Sequence, residues 1–527
     1  MLKKSLNVRP YNNKELLLFP SSVGDYIPKD HLVHIVDEAV EEIDLEPYYK
    51  KISDVGNPPY HPALMIKIWF YGYCVQTYSS RKIEDKLHTD VAFIYLSGMQ
   101  NPDFKAISEF RRKNLSELKN SFVDILQICH RLGMTKLGEI SLDSKVMKAN
   151  ASISRTYNEK ELIKERETIK KAIGEYLEKA DQTDQEEDEK YGSDKRGNEL
   201  PENIRNKEDR LKKMKQIAEQ LKQAQQKLKD SKKEKLNLTD TDSQIQKDKG
   251  RKFPGYRAQA AVDYKQQVIV ANDVTEEQSD TAQLVGMVKQ VIENVEQLKD
   301  LTDTGVNDNQ DKIKLSADSG YSSGKNLSEI QQNDKYEKNI NLYIPDRRYQ
   351  AKTRGKKTTE DSPFHKSKFI FYQDKNYVQC PEGKRLNWTG YKKERNGEIG
   401  SMYQCPGSIC RSCKHFGKCT INKDGRTVQI SENEDFLKQM RQKLSTPEGK
   451  QIYSKRSITV EPVLGNLSQN LGFREFLLRG KYKAKGEWSL MCTAHNLLKI
   501  AKFTRQLGLS LKEALAMPAL VPVADTS

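Results

Sequence analysis

Three acids stand at positions where a chain can gather carboxylates. Asp143 closes the alternating stretch GEISLD (138–143), and Asp318 closes KIKLSAD (312–318). Each reads as an acid at the C-terminal end of a strand. Glu461 lies in YSKRSITVEPVLGNLSQN (453–470), where Val460, Val463, Leu464, Leu467 and Leu471 recur on one face of a helix. Pro462 follows Glu461 directly. Proline is tolerated in a first turn, so Glu461 is expected at the start of that helix, where the dipole favours a carboxylate. Tyr453 and Arg456 lie just upstream. Two strand-end carboxylates and a third from a covering helix can hold two hard divalent cations, Mg²⁺ or Mn²⁺, about 4 Å apart. Such a pair activates a water or a 3′-OH for in-line attack on a phosphodiester. Taken singly, a surface Asp at a strand end is more often just a turn residue.

A second group is made of cysteines. Five of the eight fall between Cys380 and Cys419. Cys410-x2-Cys413-x5-Cys419 with Cys380, or with Cys405 as the alternate, gives four thiolates for a structural zinc ion. His415 is a further donor, and unligated thiols are the other reading.

The elements that must position these groups emerge along 527 residues, enough for several domains. The net charge of +15 and pI of about 9.1 favour a polyanionic partner, most often nucleic acid. No secretory signal is evident, and the apolar run Ala63–Val75 is too short to span a bilayer. The expected place is the cytoplasm, at the nucleoid, with no membrane partner. Residues 1–20 read as a polar arm, and 21–132 as a helical DNA-binding domain carrying Arg81, Lys82, Arg111, Arg112 and Lys113. A helical bundle with solvated basic residues is the plain alternative. A single long helix is expected from Ser108 to Leu132.

Residues 133–345 supply strands at 138–143, 256–263, 267–274, 312–318 and 339–344 and a helix at 279–295. Within them, 158–250 is a charged, coiled-coil-like insertion with heptad positions at Ile204, Leu211, Ala218 and Gln225 and at Lys207, Met214, Leu221 and Leu228. It reads as a helical hairpin or as a charged spacer. Residues 346–440 form a basic, Cys-rich insertion, 441–506 carry the C-terminal helices with Glu461, and 507–527 are a tail. Without the two insertions the order is strand, strand, strand, helix, strand, helix, strand, helix.

Several stretches resemble one known family. SLDSKVMKANAS around Asp143, GYRAQAAVD (255–263), SADSGYSS around Asp318, Tyr453 with Arg456 and VEPVLGN around Glu461, and GEWSLMCTAHNLLKI (486–500) resemble bacterial insertion-sequence transposases of the DDE class. Within that class the chain resembles the group with a Tyr-x2-Arg, Glu, Lys signature around the catalytic glutamate. HPALMIKIWFYGY (61–73) resembles the N-terminal region of the same family. The resemblance runs from about residue 15 to 505. It implies an α/β fold, an RNase H-like mixed sheet flanked by helices. It also implies an N-terminal all-α DNA-binding domain, while the helical-hairpin insertion and the Cys-rich insertion are read from the chain itself. It implies Asp143, Asp318 and Glu461 as the catalytic, Mg²⁺-binding acids, and Tyr453 and Arg456 as contacts to transposon-end DNA. It implies double-stranded DNA, ends and target, as partner, and a homodimer in the synaptic complex. Two departures stand out. Four residues, not three, separate Arg456 from Glu461, and Ser468 occupies the place of the signature lysine. Glu487 is a rival third acid. A metal-dependent endonuclease without strand transfer, or a degenerate DNA-binding relative, are the alternative readings.

Overall fold

The computed structural model describes residues 22–517 apart from 53–57, 192–201, 232, 300–311, 347–348, 350–361 and 396–397. The expected N-terminal arm and most of the basic run 347–357 lie outside the described residues. The chain divides into two compact units, Met1–Asn114 with Ile500–Ala516, and Leu115–Lys499 with Met517–Ser527. No helix among the described residues is long and apolar enough to cross a membrane.

The smaller unit is helical. Leu32–Glu41 buries Val33, Ile35, Val36, Ala39 and Val40, as its periodicity predicts. Pro62–Cys74 is apolar nearly all round and buries all but Ala63 and Lys67, whose ammonium meets Asp37 at 2.5 Å. Gly72 is needed in that helix, since a Cβ there would sit 2.8 Å from the Thr77 carbonyl oxygen. Val91–Leu96 is a short helix capped by Asp90. The long helix expected from Ser108 is two helices. Asp103 caps Phe104–Lys113, Asn114 leaves helical geometry, and Leu115–Arg131 starts anew in the larger unit. The tail is ordered as far as the helix Leu511–Ala516, tied to the first helix by Lys512 and Glu41 at 2.7 Å.

The larger unit is built on a mixed six-stranded sheet. Its strand order is Gln244–Asp248, Arg251–Asp263, Glu139–Lys148, Ile313–Ala317, Ile340–Tyr343, with Ile269–Thr275 also paired to Arg251–Asp263. The short turn after Asp263 forces antiparallel pairing with Ile269–Thr275. The helix Leu284–Lys299 and the helices Gly324–Gln332 and Asp334–Asn339 carry the chain into parallel strands. Outside 158–250 and 346–440, the main elements up to the last strand follow the order expected from the sequence.

The central strand is longer than GEISLD suggests. Antiparallel pairing with Arg251–Asp263 continues to Lys148 opposite Gly255, whereas parallel pairing with Ile313–Ala317 stops at Leu142 opposite Ala317. Asp143 is therefore mid-strand, but it is the first residue beyond its parallel partner. Gly255 allows the long pairing, because a Cβ there would lie 2.4 Å from the Met147 carbonyl oxygen.

Two further pieces complete this unit. The helices Glu159–Tyr191 and Glu202–Asp230 pack antiparallel near their bases, burying Leu162, Leu221, Ala224 and Leu228 around Leu236. Glu159 with Lys229 (3.8 Å) and Arg166 with Gln225 (2.7 Å) fix that direction. The Cys-rich segment is a five-stranded antiparallel meander from Ile370–Tyr372 to Thr427–Ser431. Its core is small: Phe369, Val378, Leu386, Tyr403, Cys405 and Val428.

Candidate active site

Strand alternation selects the face on which the acids stand. Residues 139, 141, 143 and 145 of the central strand point to one side. Ser141 and Ser316, on neighbouring strands, share a buried hydrogen bond of 2.9 Å. Asp143 and Asp318 are the next residues on the same face, one step past the Leu142–Ala317 pair. Each carboxylate accepts from the backbone N–H of the following residue, Ser144 at 2.8 Å and Ser319 at 2.7 Å.

The helix Arg456–Gln469 lies along that face and is pinned at three points. Lys455, just before it, donates to Glu139 at 2.7 Å. Arg456 donates to Asp143 Oδ2 at 2.8 Å. Lys145 donates to Ser468 Oγ at 2.6 Å and to the Leu464 carbonyl at 3.5 Å. From residue 139 to 145 a strand advances about 20 Å, and from 455 to 468 a helix advances about 20 Å. The two elements are matched in length and tied at both ends, by Lys455 to Glu139 and by Lys145 to Ser468, while Arg456, next to Lys455, reaches forward to Asp143. The predicted apolar face is inward, with Val460, Val463, Leu464, Leu467 and Leu471 all buried.

The start of the helix differs from expectation. It begins at Arg456, almost continuous with the preceding helix Pro447–Ser454, so Glu461 and Pro462 are interior. A proline there takes the partner from the carbonyl four residues earlier, Ile458. The side chain of Gln267, in the turn between two strands, donates to that carbonyl at 2.8 Å. The same residue accepts from Lys499 through its side chain (2.8 Å) and from His495 through its carbonyl (2.9 Å).

Glu461 reaches Asp143 through Arg456, whose other nitrogen donates to Glu461 Oε1 at 2.9 Å. The side chains of Arg456, Asp143 and Glu461 are 11%, 20% and 50% exposed, so the acid pair opens to solvent at Glu461. Burial raises the Asp143 carboxyl above the ordinary range, and the charge of Asp318 adds to this. The Arg456 guanidinium and the Ser144 amide oppose the rise. Burial acts to lower the pKa of Arg456, but Asp143, Tyr453 and Asp318 outweigh it and hold the guanidinium charged. Tyr453 packs edge-on against Tyr349, with centroids 5.7 Å apart.

On the opposite face, shared with Ser144, a buried network supports the strand. Arg257 donates to Asp280 at 2.8 Å, Gln259 donates to the same carboxylate at 3.0 Å, and Tyr321 donates to Gln259.

Several expected site residues take other places. Arg111 is turned inward with Ile107, its guanidinium 4.1 Å from the Trp69 ring centroid, so it serves the core rather than a surface. Arg112 and Lys113 are exposed and share Glu109. Glu487 is fully buried and accepts from the backbone N–H groups of Leu477 and Leu478 at 3.0–3.1 Å, which makes it a loop anchor. Ser468 is buried, yet an ammonium does reach it, from Lys145 on the strand. The parity of 143 and 145 was the sequence signal for Lys145. Gln267 carried none.

The thiols of Cys380, Cys405, Cys410, Cys413 and Cys419, with His415, line one cavity of about 30 Å³. Backbone N–H groups of Lys384 and Arg426 donate to the sulfurs of Cys380 and Cys410, each at 3.3 Å. Burial pushes the Cys405 thiol up to about 12 and also raises Cys419. His415 is engaged by Glu382 at 3.0 Å.

Among the described residues, no group of three or more His, Cys, Asp or Glu is arranged to hold a metal ion. The donor chemistry of the three acids suits a hard divalent cation. As arranged, a guanidinium takes oxygens of two of them.

Comparison with known proteins bears on both units. Residues 379–501, which include Tyr453, Arg456 and Glu461 but neither aspartate, match the family described as Transposase DDE domain. Residues 21–113 match the family described as Transposase domain (DUF772). No curated protein and no solved structure matched the chain. The two family matches support its identification as an insertion-sequence transposase of the DDE class.

Proposed function

We propose that the chain binds the ends of its element as double-stranded DNA, cleaves at their 3′ ends, and joins them to target DNA. The observation that carries the reading is the acid face. Asp143 and Asp318 follow a parallel strand pair, and Glu461 is linked to Asp143 through Arg456. The mixed sheet with helices is consistent with an RNase H-like DDE core. Asp143, Asp318 and Glu461 would hold Mg²⁺ or Mn²⁺, which when bound supplies Lewis-acid activation of a water or 3′-OH. Tyr453 and the buried Arg456 guanidinium, reached from solvent past half-exposed Glu461, would meet a DNA strand. Arg112 and Lys113 are among the exposed cations of the helical unit and would serve duplex contact. Two ends must be brought together, so a homodimer is the working assembly.

Alanine at Asp143, Asp318 or Glu461 is expected to abolish cleavage of an end-bearing duplex while binding persists. Full cleavage by any one variant would remove that residue from the catalytic set. Cutting without joined product in a strand-transfer assay would favour a plain endonuclease. The Ser468 departure motivates a degenerate relative, and the approach of Lys145 to Ser468 argues against it.

For the Cys-rich segment the proposal is a structural zinc ion held by Cys380, Cys410, Cys413 and Cys419, with Cys405 the alternate. Its support is soft-donor chemistry around one cavity and a core too small to fold well without a staple. Raised thiols must lose protons to ligate, so zinc uptake would release protons. Metal analysis giving well under about one ion per chain would count against it.

A further inference from the structure

Arg456 holds the oxygens that a metal ion would need. Its guanidinium donates to Asp143 Oδ2 and Glu461 Oε1 at 2.8 and 2.9 Å, from a side chain only 11% exposed. A carboxylate oxygen can accept a hydrogen bond and ligate a metal at once, but a guanidinium bonded to both acids sets a positive charge against any cation they hold, and so weakens that binding. The arginine therefore competes with the metal. A group that draws it off would strengthen metal binding, and the geometry limits what that is. Glu461 is half exposed, so the guanidinium is approached from the solvent side. The planar fork of arginine pairs with phosphate as well as with carboxylate. A phosphodiester arriving at that side offers the replacement acceptors.

We propose that Arg456 is an electrostatic lock coupling DNA to metal. Without DNA it ties Asp143 to Glu461 and weakens divalent-cation binding. When a DNA phosphate takes the guanidinium, both carboxylates are released to the cation. The proposal rests on the transposase reading of the acids. Because coupling between two ligands is reciprocal, the metal must strengthen DNA binding by the factor by which DNA strengthens metal binding. Couplings of this kind are typically about 5- to 150-fold. The lock has a use, since it keeps the chain from loading a cleavage centre before its substrate is in place.

The test measures Mn²⁺ affinity of the full-length protein by electron paramagnetic resonance of free Mn²⁺. It is done without DNA and with a saturating mixed-sequence duplex, corrected for Mn²⁺ bound by duplex alone. The wild type should bind Mn²⁺ roughly tenfold more tightly with DNA, within the range usual for coupled sites. Arg456→Gln should bind it that tightly without DNA and gain little from DNA. Arg456→Lys, which keeps a charge but loses the fork, should fall between them, with melting curves confirming that both variants fold. Equal Mn²⁺ affinity of the wild type with and without DNA overturns the lock, whatever the variants do. Mn²⁺ bound as well by Asp143→Asn, or by none of these proteins, would instead overturn the metal reading of the acids.

Discussion

The side-chain amide of Gln267 donates to the carbonyl of Ile458 at 2.8 Å, the carbonyl that Pro462 leaves without a helical partner. One polar residue in a strand turn thus repairs the helix that carries Glu461. Gln267 also has a left-handed backbone, φ 58°, uncommon for a non-glycine residue, so the turn is held in shape for this contact.

This pairing predicts a coupled mutational effect. Gln267→Ala should cost about 1 kcal/mol, the net worth of an ordinary hydrogen bond. Pro462→Ala restores an N–H that can bond Ile458 within the helix. In that background Gln267→Ala should cost measurably less, and a double-mutant cycle by urea unfolding reads the difference. Additive effects would mean that the amide does not serve the orphan carbonyl.

Lys145 and Ser468 give a second expectation. Lys145 is held by neutral oxygens of Ser468 and Leu464, with Arg474 bonded to the Ser468 carbonyl beside it. Burial lowers the Lys145 pKa, and Lys249 and Arg474 add to this, while Asp248 and Asp143 oppose it. If the ammonium meets a DNA phosphate, Lys145→Ala should weaken duplex binding and flatten log Kd against log salt by about one. Ser468→Lys, which sets a second ammonium against the first, should lower the melting temperature. An unchanged salt slope in Lys145→Ala would reduce the lysine to a brace between strand and helix.

Much of this arrangement is legible in the chain, and the failures have physical causes. The apolar face of Val460, Val463, Leu464 and Leu467 is read directly from helical spacing. The helix start is misread because Pro462 signals a first turn, whereas the Ile458 carbonyl it leaves without a helical partner is met by Gln267, 191 positions from Ile458. Asp143 is misread as a strand end because the hydrophobic alternation fades there, although pairing with Arg251–Asp263 carries the strand on. Arg111 belongs to a basic run that suggests solvent. It lies four residues after buried Ile107, on the inward face, where Trp69 takes its charge.

Glu487 separates structure from chemistry. Its carboxylate accepts from the N–H groups of Leu477 and Leu478. Glu487→Ala would leave buried donors unpaired, at a cost of about 1–3 kcal/mol each. A clear fall in melting temperature is expected, with cleavage per folded molecule retained. Loss of cleavage in a fully folded Glu487→Gln protein would reinstate it as the third acid.

His495 makes the stability of the fold depend on pH. It lies on the helix Lys481–Leu507, is buried, and its Nε2–H donates to the Gln267 carbonyl at 2.9 Å. Burial lowers its pKa to about 4, Lys499 adds to this, and the bond to Gln267 opposes it. Unfolded, the same ring titrates near 6.5. Between those values the unfolded chain binds the proton and the folded one does not, so stability falls as the pH drops from about 6.5 toward 4. The full contribution is present above 6.5 and amounts to roughly 3 kcal/mol at most. His495→Gln keeps an N–H for Gln267 and has no such titration. Urea unfolding at pH 7 and pH 4.5 should show the wild type losing more stability than the variant. Equal losses would mean that the ring is not held neutral, and that the turn at Gln267 is not anchored to the closing helix in this way.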